Sequence, residues 1–413
     1  MAVRADYEIV FPEQSLPASR MVGLGLQHVI AMFGATVLAP FLMGFDPNLA
    51  IFFSGIGTLI FMVVVRGRIP SYLGSSFAFI GPVIAAKSHG GVPAALGGIA
   101  AAAVVYFIVG FLVKTRAGTR AIAALMPPPV TAAVVAVIGI GLAPVGWDMS
   151  SKGWPLALFT LAVAVFVAVA TRGFPKLIPV LIAVIAGYVV AAVAGSVDFS
   201  AVAKAAWIGL PSFVAPAFGF EAISLIVPVV VMLVAENLGH VKAVAAMTGR
   251  NLDAYIGRAF LGDGIATMVA GSGGGTGVTT YAENIGVMAV TKIYSSLVFV
   301  IAALVAIAMG LCPKFGQLIY TVPGPVIGGL AIVLFGLIAT TGARIWVQNK
   351  VDFGETRNLV TVAAALTIGA GDLTLTSGDF SLSGIAIATF GAILVYQILG
   401  LVKVREMEST QAA

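Results

Sequence analysis

MPPPVTAAVVAVIGIGLA, residues 126–143, has a counterpart in VPGPVIGGLAIVLFGLIA, residues 322–339. Each opens on a proline cluster (Pro127, Pro128 and Pro129; Pro323 and Pro325). Proline suits the first turn of a helix, where its missing N–H is not needed. Working outward with Gly, Pro and charge clusters as punctuation, apolar segments fall at 20–43, 48–65, 72–86, 94–113, 128–146, 154–171, 176–195, 222–246, 254–271, 276–290, 293–312, 323–342, 357–371 and 383–403. The two proline-led stretches are the fifth and twelfth of these. Counterparts an odd number of segments apart must enter a membrane from opposite sides. The expected fold is an all-α polytopic membrane protein of fourteen segments in a 7+7 inverted repeat.

Composition agrees. The chain is 60% hydrophobic and 9% charged, against roughly 25% charged residues in a soluble domain, and its mean hydropathy is +1.08. Runs of about 20 apolar residues suit helices crossing a hydrocarbon core of about 30 Å. A β-barrel would need strands of alternating polarity, which are not found. With the N-terminus cytoplasmic, every arginine falls on an inside loop, and of the 22 basic residues only Lys87, Lys152, Lys204 and Lys314 fall outside. The basic balance therefore reads as topology, and no nucleic-acid partner is expected. Cys312 is the single cysteine, which excludes an intrachain disulfide and a Cys-based metal site. The polar start MAVRADYEIVFPEQSLPASR has no apolar run of the signal-peptide kind, so the first membrane helix is expected to stay attached.

The third segment, YLGSSFAFIGPVIAA (72–86), and the tenth, within GTGVTTYAENIGVMAV (275–290), are short, broken by Gly, Ser or Thr, and again seven apart. Interrupted segments at matching places in two halves point to a binding site at mid-membrane. A few extended residues leading into a half-helix are expected near Ser75 to Phe79 and Thr279 to Glu283; unpaired backbone there is tolerable only beside protein or a cavity.

Ionisable residues inside a membrane are costly, so each is a candidate: Glu236 and His240 in the eighth segment, Glu283 in the tenth, Asp263 in the ninth and His28 in the first. Glu236 and His240 are four apart, on one helix face, and can share a proton or a water, or form a purely structural pair. Glu283 follows the broken stretch, where a half-helix N-terminus stabilises a carboxylate. Two carboxylates facing one cavity repel each other, so at least one is expected to take up a proton readily. Such a site suits the ring N–H groups of a neutral heterocycle, with backbone N–H groups near Phe77 and Ala282 donating to its carbonyls. Phe77 and Tyr281 could stack on the ring or simply pack. Gln27 and His28 are read as an interhelical hydrogen-bond bracket, ahead of a substrate contact. Asp263 could cap, form a salt bridge or relay protons, and the sequence does not choose.

QHVIAMFGATVLAP, IPSYLGSSFAFIGP, AENLGH and TTYAENIGVMAVTK together resemble the nucleobase/ascorbate transporter family (nucleobase-cation symporters type 2), and within it the bacterial uracil permeases. Glu283-Asn284-x-Gly286 followed by Thr291 matches the family signature, an acidic or amide residue before Asn-x-Gly-x4-Thr. The resemblance implies a proton-coupled importer of a nucleobase, uracil first, with xanthine, another purine or a broader pyrimidine range as the alternative. It implies Glu236 and Glu283 on the pyrimidine edge, Phe77, Ala282, Tyr281 and Ala35 among the substrate-binding residues, His240 assisting proton coupling, and Asn284 with Gln27 and His28 in the polar bracket. It implies a core domain from 20–117 and 222–313, a gate domain from 118–196 and 320–403, elevator-type movement between them, a homodimer in the cell membrane, and no cofactor beyond protons. Glutamate at position 283 favours uracil, whereas purine members commonly carry Gln there. Ala282 stands where uracil permeases often have Gly, Gly277-Val278 where some have Pro-Asn, and Phe335 where a Tyr is common.

Three other classes compete. A membrane-embedded enzyme is disfavoured because no HExxH, paired-Cys or nucleophile motif appears. A passive facilitator has no need of a titrating carboxylate pair, and an anion exchanger would exploit half-helix N-termini but not two carboxylates.

Overall fold

The computed structural model describes residues 9–88, 90–371, 373–377 and 380–411; Arg4, counted above among the inside charges, lies outside them. The first half comprises α1 (Ala18–Met43), α2 (Pro47–Val64), strand β1 (Leu73–Ser75), α3 (Ile80–Lys87), α4 (Gly91–Leu112), α5 (Arg116–Leu125), α6 (Pro128–Gly141), α7 (Ala143–Ser151), α8 (Trp154–Ala170), α9 (Pro179–Val193) and the short α10 (Ser200–Lys204). The second comprises α11 (Phe220–Ile226), α12 (Val229–Thr248), α13 (Ile256–Gly273), strand β2 (Val278–Thr280), α14 (Ala282–Thr291), α15 (Ser296–Gly310), α16 (Pro313–Tyr320), α17 (Gly324–Gln348), α18 (Thr356–Ala370), the hairpin strands β3 (Leu375–Ser377) and β4 (Phe380–Leu382), and α19 (Gly384–Gln411).

Proline sets many of the starts. Pro47, Pro128, Pro179 and Pro313 each open a helix, and Pro325 is the second residue of α17, as the spare first-turn donors allow. Among the described residues, seven spans are long and apolar enough to cross a membrane unaided: α1, α2, α4, α6 with α7, α11 with α12, α17, and α19 as far as Val402. α15 and α16 form an eighth candidate bent by 79°. α8, α9 and the stretch Phe77–Lys87 are shorter apolar helices. α5 and the β3–β4 hairpin had no signal in the hydropathy pattern, because neither is a long apolar run.

The helices pack in two groups. In one, α4 lies on α13, α2 on α13 and α15, and α1 on α15; in the other, α17 lies on α6, α7 and α8, and α18 on α6 and α19. α1 meets α9, and α12 meets α6, along the seam between them. Inside each group small residues bring backbones together, the usual device where lipid supplies no hydrophobic drive for helix association. A Cβ on Gly139 of α6 would stand within 2.4 Å of the Ala339 nitrogen and the Phe335 oxygen of α17, and one on Gly257 of α13 would stand 2.9 Å from the Gly110 oxygen of α4.

Residues 9–16 form a strap across the ends of the first group. Val10 N–H donates to the Lys292 oxygen (3.1 Å), Tyr294 N–H to the Val10 oxygen (2.7 Å) and Ser296 N–H to the Pro12 oxygen (2.9 Å). Arg250, just beyond α12, grips Glu13 with both terminal nitrogens, at 2.8 Å and 2.5 Å, and lies 4.6 Å over the Phe11 ring. The strap thereby joins the exit of α12 to the turn between α14 and α15. The hydrogen-bonded guanidinium of Arg250 holds the Glu13 carboxyl down at about 2.

Gly139→Ala is expected to cost about 1–3 kcal/mol through overpacking and to lower the unfolding temperature of the purified protein. Gly336→Ala, on an exposed face of α17 with nothing within 4 Å, avoids that clash and leaves that temperature unchanged or slightly raised, since Ala favours a helix interior over Gly. Because the carboxyl of Glu13 titrates lower when folded, its contribution is present at neutral pH and is lost as pH falls from about 4.5 towards 2. The pair is half exposed and worth about 0.2–1 kcal/mol. Arg250→Ala is therefore expected to speed exchange of the Tyr294 amide modestly at pH 7, read by hydrogen exchange.

Candidate substrate site

The two broken segments meet. β1 pairs antiparallel with β2, Leu73 opposite Thr280, Gly74 opposite Thr279 and Ser75 opposite Val278, and Ser76 N–H extends the ladder to the Gly277 oxygen at 2.9 Å. A two-stranded ribbon leaves its outer edges bare, which is not viable in a membrane interior. Here hydroxyls from neighbouring helices complete them. Thr58 of α2 accepts from Leu73 N–H (2.9 Å), and Thr267 of α13 accepts from Val278 N–H (3.2 Å) and donates to the Val278 oxygen (3.0 Å). Leu73 opens β1 and Val278 opens β2, so the two halves solve the same problem in the same way.

Each ribbon segment also lies under an aromatic ring from the other half. A Cβ on Gly74 would collide with the Tyr281 ring at 2.4 Å, and one on Gly277 with the Phe79 ring at 2.2 Å. Gly277 is thus demanded by Phe79. Tyr281 is buried, and its hydroxyl donates to the Ser75 oxygen at 2.8 Å; its ring lies against Gly74.

Beyond the ribbon the chain turns into two half-helices. Ser76 caps the turn Phe77–Phe79 that leads into α3, its hydroxyl accepting from Ala78 N–H at 3.2 Å. Ala282 opens α14, so its N–H has no partner within the helix. Glu236 on α12 is half-buried and accepts from the Ser76 hydroxyl at 3.3 Å. Glu283, the second residue of α14, is exposed, and α14 packs against α12, the helix that carries Glu236. His240, one turn beyond Glu236, is buried facing the carbonyls of Pro70 and Tyr281, with neither ring nitrogen in hydrogen-bond geometry. Phe77 is half-buried in a cluster with Leu38 of α1 and Ile327 and Leu334 of α17, on the seam between the groups. Ala35 is buried in α1.

His28 and Asn284 form a bracket across helices. The His28 Nδ1 and the Asn284 Oδ1 are 3.1 Å apart, and the Asn284 amide donates to the Tyr72 oxygen at 2.9 Å. Gln27 is half-buried beside His28 and contributes no bond to this bracket.

Five participants were missed by sequence reasoning, Thr58 and Thr267 at the ribbon edges among them. Ser76 was part of a quoted motif, but a serine in a broken segment does not announce which carboxylate it meets. Asn237 and Tyr106 were overlooked as well: the Asn237 amide donates to Asp263 at 2.6 Å and stands 3.1 Å from the Tyr106 hydroxyl, which donates to the Leu233 oxygen. Asp263 is fully buried in the middle of α13, so it caps nothing. An asparagine next to the glutamate of AENLGH was the available signal.

A family model described as a permease family matches residues 19–378. The chain belongs to this family, the nucleobase/ascorbate transporters. Among its relatives, RutG of Escherichia coli (strain K12), provisionally named a pyrimidine permease, is 54% identical over 408 residues, covering 95% of this chain and 92% of RutG. The uracil permease of Bacillus caldolyticus is 42% identical over 396 residues, 92% of this chain and 91% of that one. Two solved structures share the fold at distant sequence. The transmembrane domain of the cyanobacterial bicarbonate transporter BicA has a TM-score of 0.64 at 15% identity, over 94% of this chain and 99% of that domain. The murine anion transporter Slc26a9 in its inward-facing state has a TM-score of 0.71 at 11% identity, over 94% of this chain and 69% of that one. The permease is a multi-pass membrane transporter of the 7+7 inverted-repeat type, not an enzyme.

The bracket makes a measurable prediction. Asn284→Ala strands buried polar groups and is expected to cost about 1–3 kcal/mol, read as a lower unfolding temperature. Adding His28→Ala to it costs less than the sum of the single changes, because they share one interaction.

Proposed function

We propose that the permease imports uracil, or a close pyrimidine, together with protons. The observation that carries this is the convergence of Glu236 and Glu283 with the starts of two half-helices around one hydrogen-bonded ribbon. A pyrimidine-dione offers ring N–H donors for carboxylates and carbonyl acceptors for the backbone N–H groups near Phe77 and Ala282. An anion would meet two carboxylates instead, so the likeness to anion and bicarbonate transporters is read as fold alone. The names of the uracil permease relatives support the substrate class.

Protonation of one carboxylate on the way in supplies the coupling, with His240, one turn from Glu236, taking part. Ala35 lines the substrate's pocket, and Phe77 contacts the ring as part of the seam cluster. Tyr281 acts by holding the ribbon in place beneath the site. In this reading α1–α4 and α11–α15 form the core domain, α6–α9 and α17–α19 the gate, and the core slides against the gate as an elevator. The fourteen segments cross the cell membrane with both termini cytoplasmic, and two copies pair.

Uptake of radiolabelled uracil into proteoliposomes tests this. Accumulation driven by an inward proton gradient and blocked by excess thymine is expected. Glu236→Gln and Glu283→Gln each lower uptake at least tenfold, as losing a charge-assisted hydrogen bond of about 1.5–3 kcal/mol requires, with the protein still folded in the membrane. Full activity in both variants overturns the site, competition by xanthine alone moves the substrate to purines, and uptake indifferent to the gradient makes the permease a facilitator.

A further inference from the structure

The seam between the two helix groups contains a cavity whose lining includes neither Glu236 nor Glu283. It measures about 140 Å³ and lies between α1 and α16 on one side and α9 and α17 on the other. Phe33, Val37, Val184, Phe315 and Leu330 line it with carbon. The polar atom that could reach it, the Tyr188 hydroxyl, is engaged at 2.5 Å with the hydroxyl of Thr321. Ile185 and Leu318 stand at the exposed edge. From Ile185 the surface runs on along one face of α9 through Val189 to Val193, which is 85% exposed. The crevice therefore opens sideways, onto the apolar flank of the bundle.

An apolar cavity of this size stays dry and accepts a small hydrocarbon, as an engineered cavity of about 150 Å³ does with benzene. A nucleobase would strand its polar edge there, since burying an unpaired polar group costs about 1–3 kcal/mol by protein mutational data. In a bilayer, the apolar material that reaches the mouth is the lipid tail. We infer that this crevice binds a single lipid acyl chain that enters between α9 and α16 and wedges the two helix groups. With no charged side chain in the lining, selection is by chain and not by headgroup. The wedge reaches the candidate site because Leu38 and Ile327, both in the crevice wall, cluster with Phe77 at the start of the first half-helix. Binding stands independently of the transport reading, whereas the effect on transport rests on it.

The test uses the full chain in liposomes containing a phospholipid with a photoactivatable group in mid-acyl chain, mapped by peptide mass spectrometry. Adducts concentrated on residues 181–188 and 315–330, and equal for phosphatidylcholine and phosphatidylglycerol headgroups, are expected. Val184→Trp, which fills the space, removes them while adducts on Val189 and Val193 persist; Leu181→Phe serves where the larger change prevents folding. Labelling spread evenly along α9, labelling unaffected by the filling variant, or cross-linking that seats a second copy on this flank overturns the lipid site. With label lost, uracil uptake altered threefold or more supports the wedge, and unchanged uptake overturns it. Absence of uracil uptake in the unaltered protein strikes the transport reading alone, since the adducts are read without transport.

Discussion

Extended backbone inside a membrane must find hydrogen-bond partners, and the rest of this structure depends on how β1 and β2 find theirs. The strands pair with each other, and Thr58 and Thr267 close the two outer edges. Without those hydroxyls the ribbon would leave N–H and C=O groups facing hydrocarbon, at several kcal/mol each. Because the ribbon is satisfied, two half-helices can begin inside the bundle, the first capped by Ser76 at Ala78 N–H. Because α14 begins there, Glu283 stands in its first turn, and α14 packs against α12, whose Glu236 accepts from Ser76.

The two halves share scaffolding but not chemistry. Counting from the equivalent strand starts Leu73 and Val278, the position of Glu283 corresponds to Ala78, and that of Asn284 to Phe79; both residues of the first half are buried and apolar. The first repeat spends its half-helix on packing, with Phe79 seated on Gly277. The second carries the carboxylate and the bracket to His28. Phe77, clustered with Leu38 of α1 and with Ile327 and Leu334 of α17, lies where the two helix groups meet.

What the sequence made legible follows from what stands out against an apolar background. Long runs of Val, Ala, Ile and Leu mark spans, so the helices were found; the Gly, Ser and Thr breaks marked the ribbon, although its strands lie at Leu73–Ser75 and Val278–Thr280, ahead of the expected 75–79 and 279–283, whose later residues are already helical; and Glu236, Glu283, His240 and Asp263 drew attention because charge in a membrane is costly. Threonine inside an apolar helix raises no such flag, since it commonly bonds its own backbone one turn back, as Thr248 and Thr389 do. That is why Thr58 and Thr267 passed unseen. Tyr281 illustrates a different limit: its aromatic character suggested a ring partner, but its hydroxyl and its fit over Gly74 bind it to the ribbon, and both depend on a pairing between residues about 200 positions apart.

The glycines tie these levels together. In a soluble protein Gly74 and Gly277 would be costly in a strand, through backbone entropy and missing side-chain packing. Here each is the floor on which an aromatic from the other half rests, so the ribbon is clamped from both sides by rings as well as by hydroxyls. A substitution at either position would push Tyr281 or Phe79 away, and Tyr281 would carry with it the bond to Ser75 that adjoins Ser76 and, through it, Glu236. The carboxylate site is thereby coupled to packing that contains no charge. That coupling makes both halves necessary: the first supplies Ser76, which donates to Glu236, and the ring of Phe79 over Gly277, while the second carries Glu236 and Glu283.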